Sequence, residues 1–482
     1  MSNHRNNEFL GFGATAPPNV LPEWLYSRLF FPPMKTKRGV PVEAPYGLRK
    51  VEAKLLDEGF TVLTVDPDHL EPYIEEAKVL GIYVMDPFGL GPASTTFARI
   101  LNTGETYSAK YFRSLLEKPE VRSAKKRGLK IIIGGPGAWQ LRYRPRFLVE
   151  HGIDCVLEGE AESVVVRLFR TALDGEELPM FYEVSGKEIP SLEEIPEIKN
   201  PSVNGLVEVG RGCVRGCQFC SVTLRPLRWI TYEKIEKELR VNVEAGIRSG
   251  ILHAEDVLLY GSKSITPESS KVLKLHRLAK KRLDTVSWSH TSMAVVASSP
   301  KLVKEVAEII LDGRQEWWGV EVGIETGSPR LVRKIMPAKA LPFRAEEWPE
   351  VVGTAAGIMS DHSLIPACTL MVGVPGETEE DVAKTIELVD DLRGFESLIV
   401  PLFFVPMGRL REEEWFRVKE MNPLHEELLA RCLDHSLYWA KRILARQYFK
   451  GPNGPFLNFL TRLFMFQIER KARELKEELI SQ

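Results

Sequence analysis

The chain runs to 482 residues, enough for roughly three domains, and its 44% hydrophobic and 27% charged residues are ordinary for a folded soluble protein. Lys and Arg number 64 against 66 Asp and Glu, a net charge of −2, so no overall basic field argues for nucleic acid as a partner. No run of about 18 uninterrupted apolar residues and no basic-then-apolar leader is present, so the expectation is a cytoplasmic protein with no membrane span.

Residues 1–44 are rich in Pro and aromatics (Pro17, Pro18, Trp24, Tyr26, Phe30, Phe31), too apolar for a disordered tail, and predict an irregular segment packed on the next domain. From residue 45 the pattern alternates: helix 47–58, strand 61–65, helix 70–80, strand 82–85, helix 109–126, strand 130–133, a helix near Phe147, strand 155–157 and helix 161–173. Strands separated by helical runs predict a parallel sheet with helices on both faces, whose ligands sit at the strand carboxyl ends. Three loops fall there: one with Gly89, Ser94 and Thr95, one with Gly134, Gly135 and Pro136, and one with Glu158, Gly159 and Glu160. Glycines admit a bulky ligand close to backbone and the hydroxyls can bond it, although such loops are also ordinary tight turns. Asp66-Pro67-Asp68-His69 makes His69 a surface histidine in this reading. Residues 174–204 carry Pro179, Pro190, Pro196 and Pro201 among acids, a linker composition that puts the boundary near 185.

Strand 206–209 then delivers Gly210-Arg211-Gly212-Cys213-Val214-Arg215-Gly216-Cys217-Gln218-Phe219-Cys220, which holds three of the chain's six cysteines. Three thiolates at CxxxCxxC spacing on a glycine-freed loop converge on one centre, and three are one too few for structural zinc or a four-cysteine cluster, so an open position is expected. Cys155, Cys368 and Cys432 are scattered, which fits buried single thiols in a reducing compartment. Helix 233–245, strand 251–256, helix 268–282, strand 285–292, helix 300–312, strand 319–325, helix 345–359, strand 366–372, helix 378–393 and strand 397–400 continue the rhythm. Six βα steps predict a partial (β/α)6 barrel with its site at the strand carboxyl ends. Glu255, Asp256, Ser289, Glu325 and the loop with Gly373 and Pro375 stand there, and each acid could instead cap the following helix. His253 and His290 lie near strand ends and could touch substrate or move protons. Beyond 403 the aromatics Trp415, Phe416, Tyr438, Trp439, Tyr448, Phe449 and Phe456, and an amphipathic stretch at 459–480, predict a small helical cap.

The cysteine loop, with Phe219 before its third cysteine, resembles the radical S-adenosylmethionine (SAM) superfamily. That resemblance implies a [4Fe–4S] cluster on Cys213, Cys217 and Cys220, whose fourth iron is chelated by SAM, and one-electron cleavage to a 5′-deoxyadenosyl radical. It further implies Glu255 or Asp256 on the SAM ammonium, Ser289 among the SAM contacts, Glu325 on the ribose, and Gly373 and Pro375 against the adenine. With Gly134-Gly135-Pro136 and Gly159-Glu160-Ala161-Glu162 upstream, the chain is similar to the cobalamin-dependent branch of that superfamily, in which Gly89, Ser94, Thr95, Gly134, Gly135, Pro136, Glu158, Gly159 and Glu160 would meet cobalamin. No Asp-x-His-x-x-Gly occurs, so the dimethylbenzimidazole would be displaced without a histidine replacing it beneath cobalt. The implied architecture is α/β: an irregular segment 1–44, a Rossmann-like cobalamin domain 45–184, a linker 185–204, a radical SAM barrel 205–402 and a C-terminal cap 403–482. The implied activity is C-methylation of an unactivated carbon with methylcobalamin, in a protein or peptide substrate. The nearest likeness is to the archaeal enzymes that methylate a glutamine in the methyl-coenzyme M reductase alpha chain, with ferredoxin or flavodoxin as reductant. A cyclase or rearrangement enzyme, or a non-catalytic cluster and corrinoid sensor, would share these motifs.

Overall fold

The structure, a computed structural model, describes Thr15 and residues 22–30, 32–100 and 105–444. The chain divides into two compact units: one runs to Gly210 and takes in Arg228–His253 and Arg277–Val286, the other comprises Arg211–Leu227, Ala254–His276 and the residues from Ser287 onward.

In the first unit, strands β1 (Val79–Tyr83), β2 (Lys130–Gly134), β3 (Cys155–Glu158) and β4 (Phe181–Glu183) form one sheet in that order. Each neighbouring pair is parallel, with Val79 opposite Lys130, Ile132 opposite Cys155 and Val156 opposite Phe181. The Ile131-Ile132-Ile133 run is buried throughout, as expected for a strand with both faces covered. Around it lie α1 (Tyr46–Asp57), α2 (Pro92–Ile100), α3 (Tyr107–Glu117), α4 (Pro119–Lys126) and α5 (Val165–Leu173). The single helix predicted over 109–126 is two, because Pro119 has no N–H to continue α3 and instead occupies the first turn of α4. Residues 61–65, read as a strand from their β-branched content, pair with no strand of the described residues, and the helix predicted over 70–80 shrinks to Glu71–Ile74 because the chain is already extended in β1 from Val79. Tyr26 of the aromatic N-terminal segment stacks on Tyr107 with ring centroids 4.8 Å apart.

The segment read as a linker is firmly held. Ile195 and Ile198 are buried, Lys50 Nζ donates to the Pro196 carbonyl at 2.6 Å, and Arg49 Nε donates to Pro201 O at 2.9 Å. Lys50 also forms a buried ion pair with Glu238 of α6 (Tyr232–Glu244), whose carboxylate accepts from the Ile198 N–H. The composition is polar and Pro-rich because these residues satisfy buried charges with carbonyls, not because they are free in solvent.

Strands β5 (Val207–Glu208), β6 (Ser249–His253) and β7 (Thr285–Trp288) make a three-stranded sheet in the order β7-β6-β5, with Leu252 opposite Val207 in a parallel pair. In the second unit, β8 (His290–Thr291), β9 (Trp318–Glu325), β10 (Leu364–Val372) and β11 (Leu398–Phe403) form a parallel sheet in chain order. Only Ser289 separates β7 from β8, so the six predicted strand steps are all present. The intervening helices are α7 (Ser269–Arg282), α8 (Pro300–Ile310), α9 (Trp348–Asp361) and α10 (Glu379–Asp391).

Of the expected cap, α11 (Pro423–Ile443) is present; it starts at Asn422, whose side chain accepts from the His425 N–H, and it packs against α10 and β11. Tyr448, Phe449, Phe456 and the 459–480 stretch lie outside the described residues. No helix of the described residues is long and apolar enough to cross a membrane.

Candidate active site

The cysteine loop leaves β5 and turns on two glycines in the left-handed region, Gly212 at φ +82° and Gly216 at φ +64°. A side chain at Gly212 would meet the Pro226 carbonyl oxygen at 2.4 Å, so space as well as φ demands glycine there. Gly210 does not share that role, being extended. Cys217 is buried and Cys213 and Cys220 are partly so, all three as free thiols. The loop is stitched down on two sides. The Gln218 N–H donates to Ile335 O and its Nε2 to Lys334 O, both at 2.8 Å. From the far C-terminal side, the Arg409 N–H donates to Gln218 O at 2.7 Å, and a Cβ on Gly408 would stand 2.9 Å from the Cys220 backbone nitrogen.

Arg215, between the first two cysteines, is the loop's internal anchor. Its Nη1 donates to the carbonyls of Ala338 and Lys339 at 2.9 Å and of Leu341 at 3.3 Å, and its Nη2 to Ser292 Oγ at 2.9 Å. Asp256 lies 3.8 Å from the same guanidinium and accepts from Thr291 Oγ1 at 2.9 Å and Ser292 Oγ at 2.6 Å. Complete burial pushes the Asp256 carboxyl up, against Arg215 and the two hydroxyls. Asp256 is therefore committed to holding the loop. Glu255 is different: it is partly exposed, no hydrogen bond or ion pair among the described residues engages its carboxylate, and its charge is felt by both Cys213 and Cys220. Of the two acids that the sequence left open, Glu255 is the one available to a cationic ligand.

Glu325, at the end of β9, adopts φ +68°, a strained conformation for a non-glycine residue. Its Oε1 accepts from Lys339 Nζ at 2.6 Å, and the ammonium sits 5.9 Å from the Phe219 ring centroid. Neither Arg215 nor Lys339 carries a local sequence signal; Arg215 lies within the motif, but Lys339 is brought in by the fold from a loop 14 residues beyond Glu325. Burial pushes the Cys213 thiol up to about 12 and raises Cys217 and Cys220, while Lys339 and Arg215 work the other way at Cys217. A thiolate is thus favoured only with positive charge nearby, whether from these cations or from iron.

Three other predicted residues have partners. Ser289 Oγ donates to Ala254 O at 3.0 Å and accepts from Ala254 N at 3.1 Å, bridging strand ends. The face of Gly373 is filled by the Phe416 ring, which a Cβ would reach at 1.9 Å, and Pro375 O accepts from Lys334 Nζ at 2.9 Å. His290 Nε2 lies 3.2 Å from Glu321 Oε2, its neighbour across β8 and β9; His253 belongs to the other unit. Among the described residues no three His, Cys, Asp or Glu side chains are gathered as a single metal ion requires. A cubane makes another demand, since each cysteine goes to a different iron, and the thiol-only donor set suits it.

In the first unit the loops at the ends of β1 and β2 hold each other. A Cβ on Gly135 would stand 2.6 Å from Val84 O and one on Gly137 2.3 Å from Met85 O, so these glycines permit backbone to pass backbone. Asp86 organises the first loop, accepting from the Gly91 N–H at 2.9 Å, from Gln140 Nε2 at 2.6 Å and from the Ser94 hydroxyl. Gly89 turns at φ +66° against Thr106. Glu158 pairs with Arg142 and Glu160 with Arg228 at 2.6 Å, and Gly159, at φ +102°, clears Val184. Ser94, Glu158 and Glu160 are thus engaged within the protein. Thr95 is the exception: it is 3% exposed, in the opening turn of α2, and its Oγ1 has no hydrogen-bond partner among the described residues. Gly134 ends β2 with Leu157 O in ordinary contact, 3.5 Å from where a Cβ would stand, and Pro136 lies in the loop that follows.

Residues 207–389 match the radical SAM superfamily, so this part of the chain is a radical SAM domain. A tRNA-2-methylthio-N(6)-dimethylallyladenosine synthase of Thermotoga petrophila is 25% identical over 318 residues, 63% of this chain and 64% of that protein. The ribosomal protein uS12 methylthiotransferase RimO of the same organism is 23% identical over 247 residues, 51% of this chain and 48% of that protein. The chain thus spans less than two thirds of the length of these curated relatives. Two solved structures of the radical S-adenosylmethionine methyltransferase TsrM from Kitasatospora setae share the fold. One, with tryptophan substrate and the SAM analogue aza-SAM bound, has a TM-score of 0.56 at 15% identity over 78% of this chain and 73% of that one. The other, with cobalamin and a [4Fe-4S] cluster bound, has a TM-score of 0.55 at 14% identity over 78% and 75%.

Proposed function

We propose that the protein is a cobalamin-dependent radical SAM C-methyltransferase acting on an unactivated sp3 carbon of a peptide, with a glutamine of the methyl-coenzyme M reductase alpha chain as the candidate target. The observation that carries the reading is one of extent: the radical SAM match is confined to residues 207–389, whereas the likeness to TsrM covers 78% of the chain and so extends upstream of residue 207 as well. When bound, the cluster, SAM and methylcobalamin supply hydrogen abstraction and a methyl group. The chain's own part is to hold them. Cys213, Cys217 and Cys220 are the iron ligands, Glu255 receives the SAM ammonium through a charge-assisted bond, and Thr95 with the Gly134 and Pro136 loop receives the corrinoid. Asp256 and Arg215 keep the cysteine loop in shape.

The test is anaerobic incubation of reconstituted protein with deuterated-methyl SAM, hydroxocobalamin, a low-potential one-electron donor such as ferredoxin or flavodoxin, and glutamine-containing peptides of the reductase. The expected product is a peptide bearing one labelled methyl group, with 5′-deoxyadenosine released. Methylthio transfer is the second reading, favoured by the two Thermotoga relatives, and a methylthio product would establish it in place of the first. An unmethylated cyclic product would place the protein among the rearranging enzymes, and absence of SAM cleavage would leave a sensor.

A further inference from the structure

Next to the cysteine loop the fold builds a buried ion pair at considerable local cost. Glu325 takes its strained φ of +68° at a register shift in the β9–β10 pairing, which turns the carboxylate back over Gly323. Gly323 must lack a side chain for this: a Cβ there would stand 1.9 Å from Glu325 Oε1 and 2.4 Å from Lys339 Nζ. Lys339 is delivered to the spot by the cysteine loop itself, because Arg215 grips the carbonyls of Ala338, Lys339 and Leu341. Its ammonium then lies 2.6 Å from Glu325 Oε1 and 5.9 Å from the ring of Phe219, which sits between Cys217 and Cys220 in the motif's second half. Thr369 Oγ1, at 3.5 Å, supports the other carboxylate oxygen.

Buried ion pairs contribute little net stability after desolvation, and backbone strain subtracts from it. What such a pair does supply is a fixed positive charge and a fixed negative charge that act on Cys217 in opposite senses, the cation the more strongly. Burial works to lower the Lys339 pKa, but Glu325 and the thiols of Cys217 and Cys220 outweigh it, so the ammonium stays charged.

We propose that Lys339 and its counter-ion Glu325 set the reduction potential of the cluster held by the three cysteines. The inference rests on the cluster assignment made above. Reduction adds one electron from an external low-potential donor to the cluster and no proton, so the reduced form is more negative by one charge. A neighbouring cation stabilises it and an anion opposes it, and both act strongly in a poorly solvated site.

The experiment is an anaerobic redox titration of the reconstituted full chain without SAM, followed by electron paramagnetic resonance, with iron and sulfide content measured on each sample. Lys339→Met leaves Glu325 uncompensated and is expected to lower the potential; Glu325→Gln leaves Lys339 uncompensated and is expected to raise it. The double variant K339M/E325Q, neutral like the native pair, is expected between the two and carries the comparison with E325Q should K339M alone fail to fold. Normal cluster content with potentials that do not move, or that move in the same direction for the two changes, would overturn the inference while leaving the cluster assignment standing. Failure of the unaltered chain to take up a four-iron cluster would overturn both.

Discussion

At the scale of single residues, neighbouring side chains of the same chemical type take opposite duties. Glu255 and Asp256 are adjacent acids at one strand end, yet Asp256 is consumed by Arg215, Thr291 and Ser292 while the Glu255 carboxylate has no hydrogen bond or ion pair among the described residues. Glu255→Gln is expected to leave the melting temperature unchanged and to weaken SAM binding about 10- to 100-fold, the worth of one hydrogen bond between charged groups, as read by equilibrium binding to the reconstituted protein. Asp256→Asn is expected to do the reverse first, destabilising the fold by about 3 kcal/mol or more because Arg215 is left as an uncompensated buried charge, which a denaturant titration measures. Thr95 yields a prediction of two signs. Its buried hydroxyl has no partner among the described residues, so Thr95→Val should stabilise the corrinoid-free protein by about 1 kcal/mol and weaken corrinoid binding; a loss of stability would show that the hydroxyl already has a use within the fold. Which acid or hydroxyl is free could not be read from the sequence, because partners such as Ser292 and Gln140 lie 36 and 54 positions away from the groups they bind.

At the scale of elements, His276 of α7 links its helix to the end of β7. The ring's Nδ1–H donates to Val272 O at 2.7 Å, which leaves Nε2 to accept from the Trp288 indole N–H, also at 2.7 Å. Both nitrogens are committed in the neutral form, and burial holds the folded-state pKa down at about 4. The unfolded chain binds a proton near the ordinary value of about 6.5 that the folded chain refuses, so this stability is present above that pH and is lost as the pH falls from about 6.5 toward 4. The slope is at most about 1.4 kcal/mol per pH unit. His276→Gln, whose amide oxygen can still accept from Trp288, is expected to melt lower than the unaltered protein at pH 7 and to lose less between pH 6.5 and 4. Melts that run parallel across that range would exclude the histidine as the source. Element placement itself was largely legible, because the periodicities from residue 205 to 400 reflect strands and helices that bury one consistent face. It failed at 61–65, where a β-branched run finds no neighbouring strand among the described residues, and at Phe181–Glu183, where β4 pairs with β3 inside a stretch whose prolines suggest a linker.

At the scale of the whole molecule, compactness does not follow the order of the chain: Arg228–His253 and Arg277–Val286 cluster with the N-terminal residues. Within that unit Lys50 and Glu238, 188 positions apart, form a buried pair in which Lys50 also donates to Pro196 O and Glu238 also accepts from the Ile198 N–H and the Tyr46 hydroxyl. Lys50→Met is expected to cost about 3–5 kcal/mol, since the Glu238 carboxylate would remain buried without its cation; a change of under about 1 kcal/mol in urea unfolding would show the pair to be dispensable. The sequence by itself determined the glycine-freed three-cysteine loop and the succession of βα steps, because local backbone freedom and side-chain periodicity are written in neighbouring residues, whereas the structure alone made Gly212 and Gly216 left-handed and Gly210 extended. Only the tertiary structure decided that Glu255 and not Asp256 is available, that Gly135 and Gly137 serve backbone packing, and that Lys339 stands beside the cysteines. Those outcomes depend on which distant groups neutralise a buried charge or fill a space, and a one-dimensional pattern contains no record of that competition.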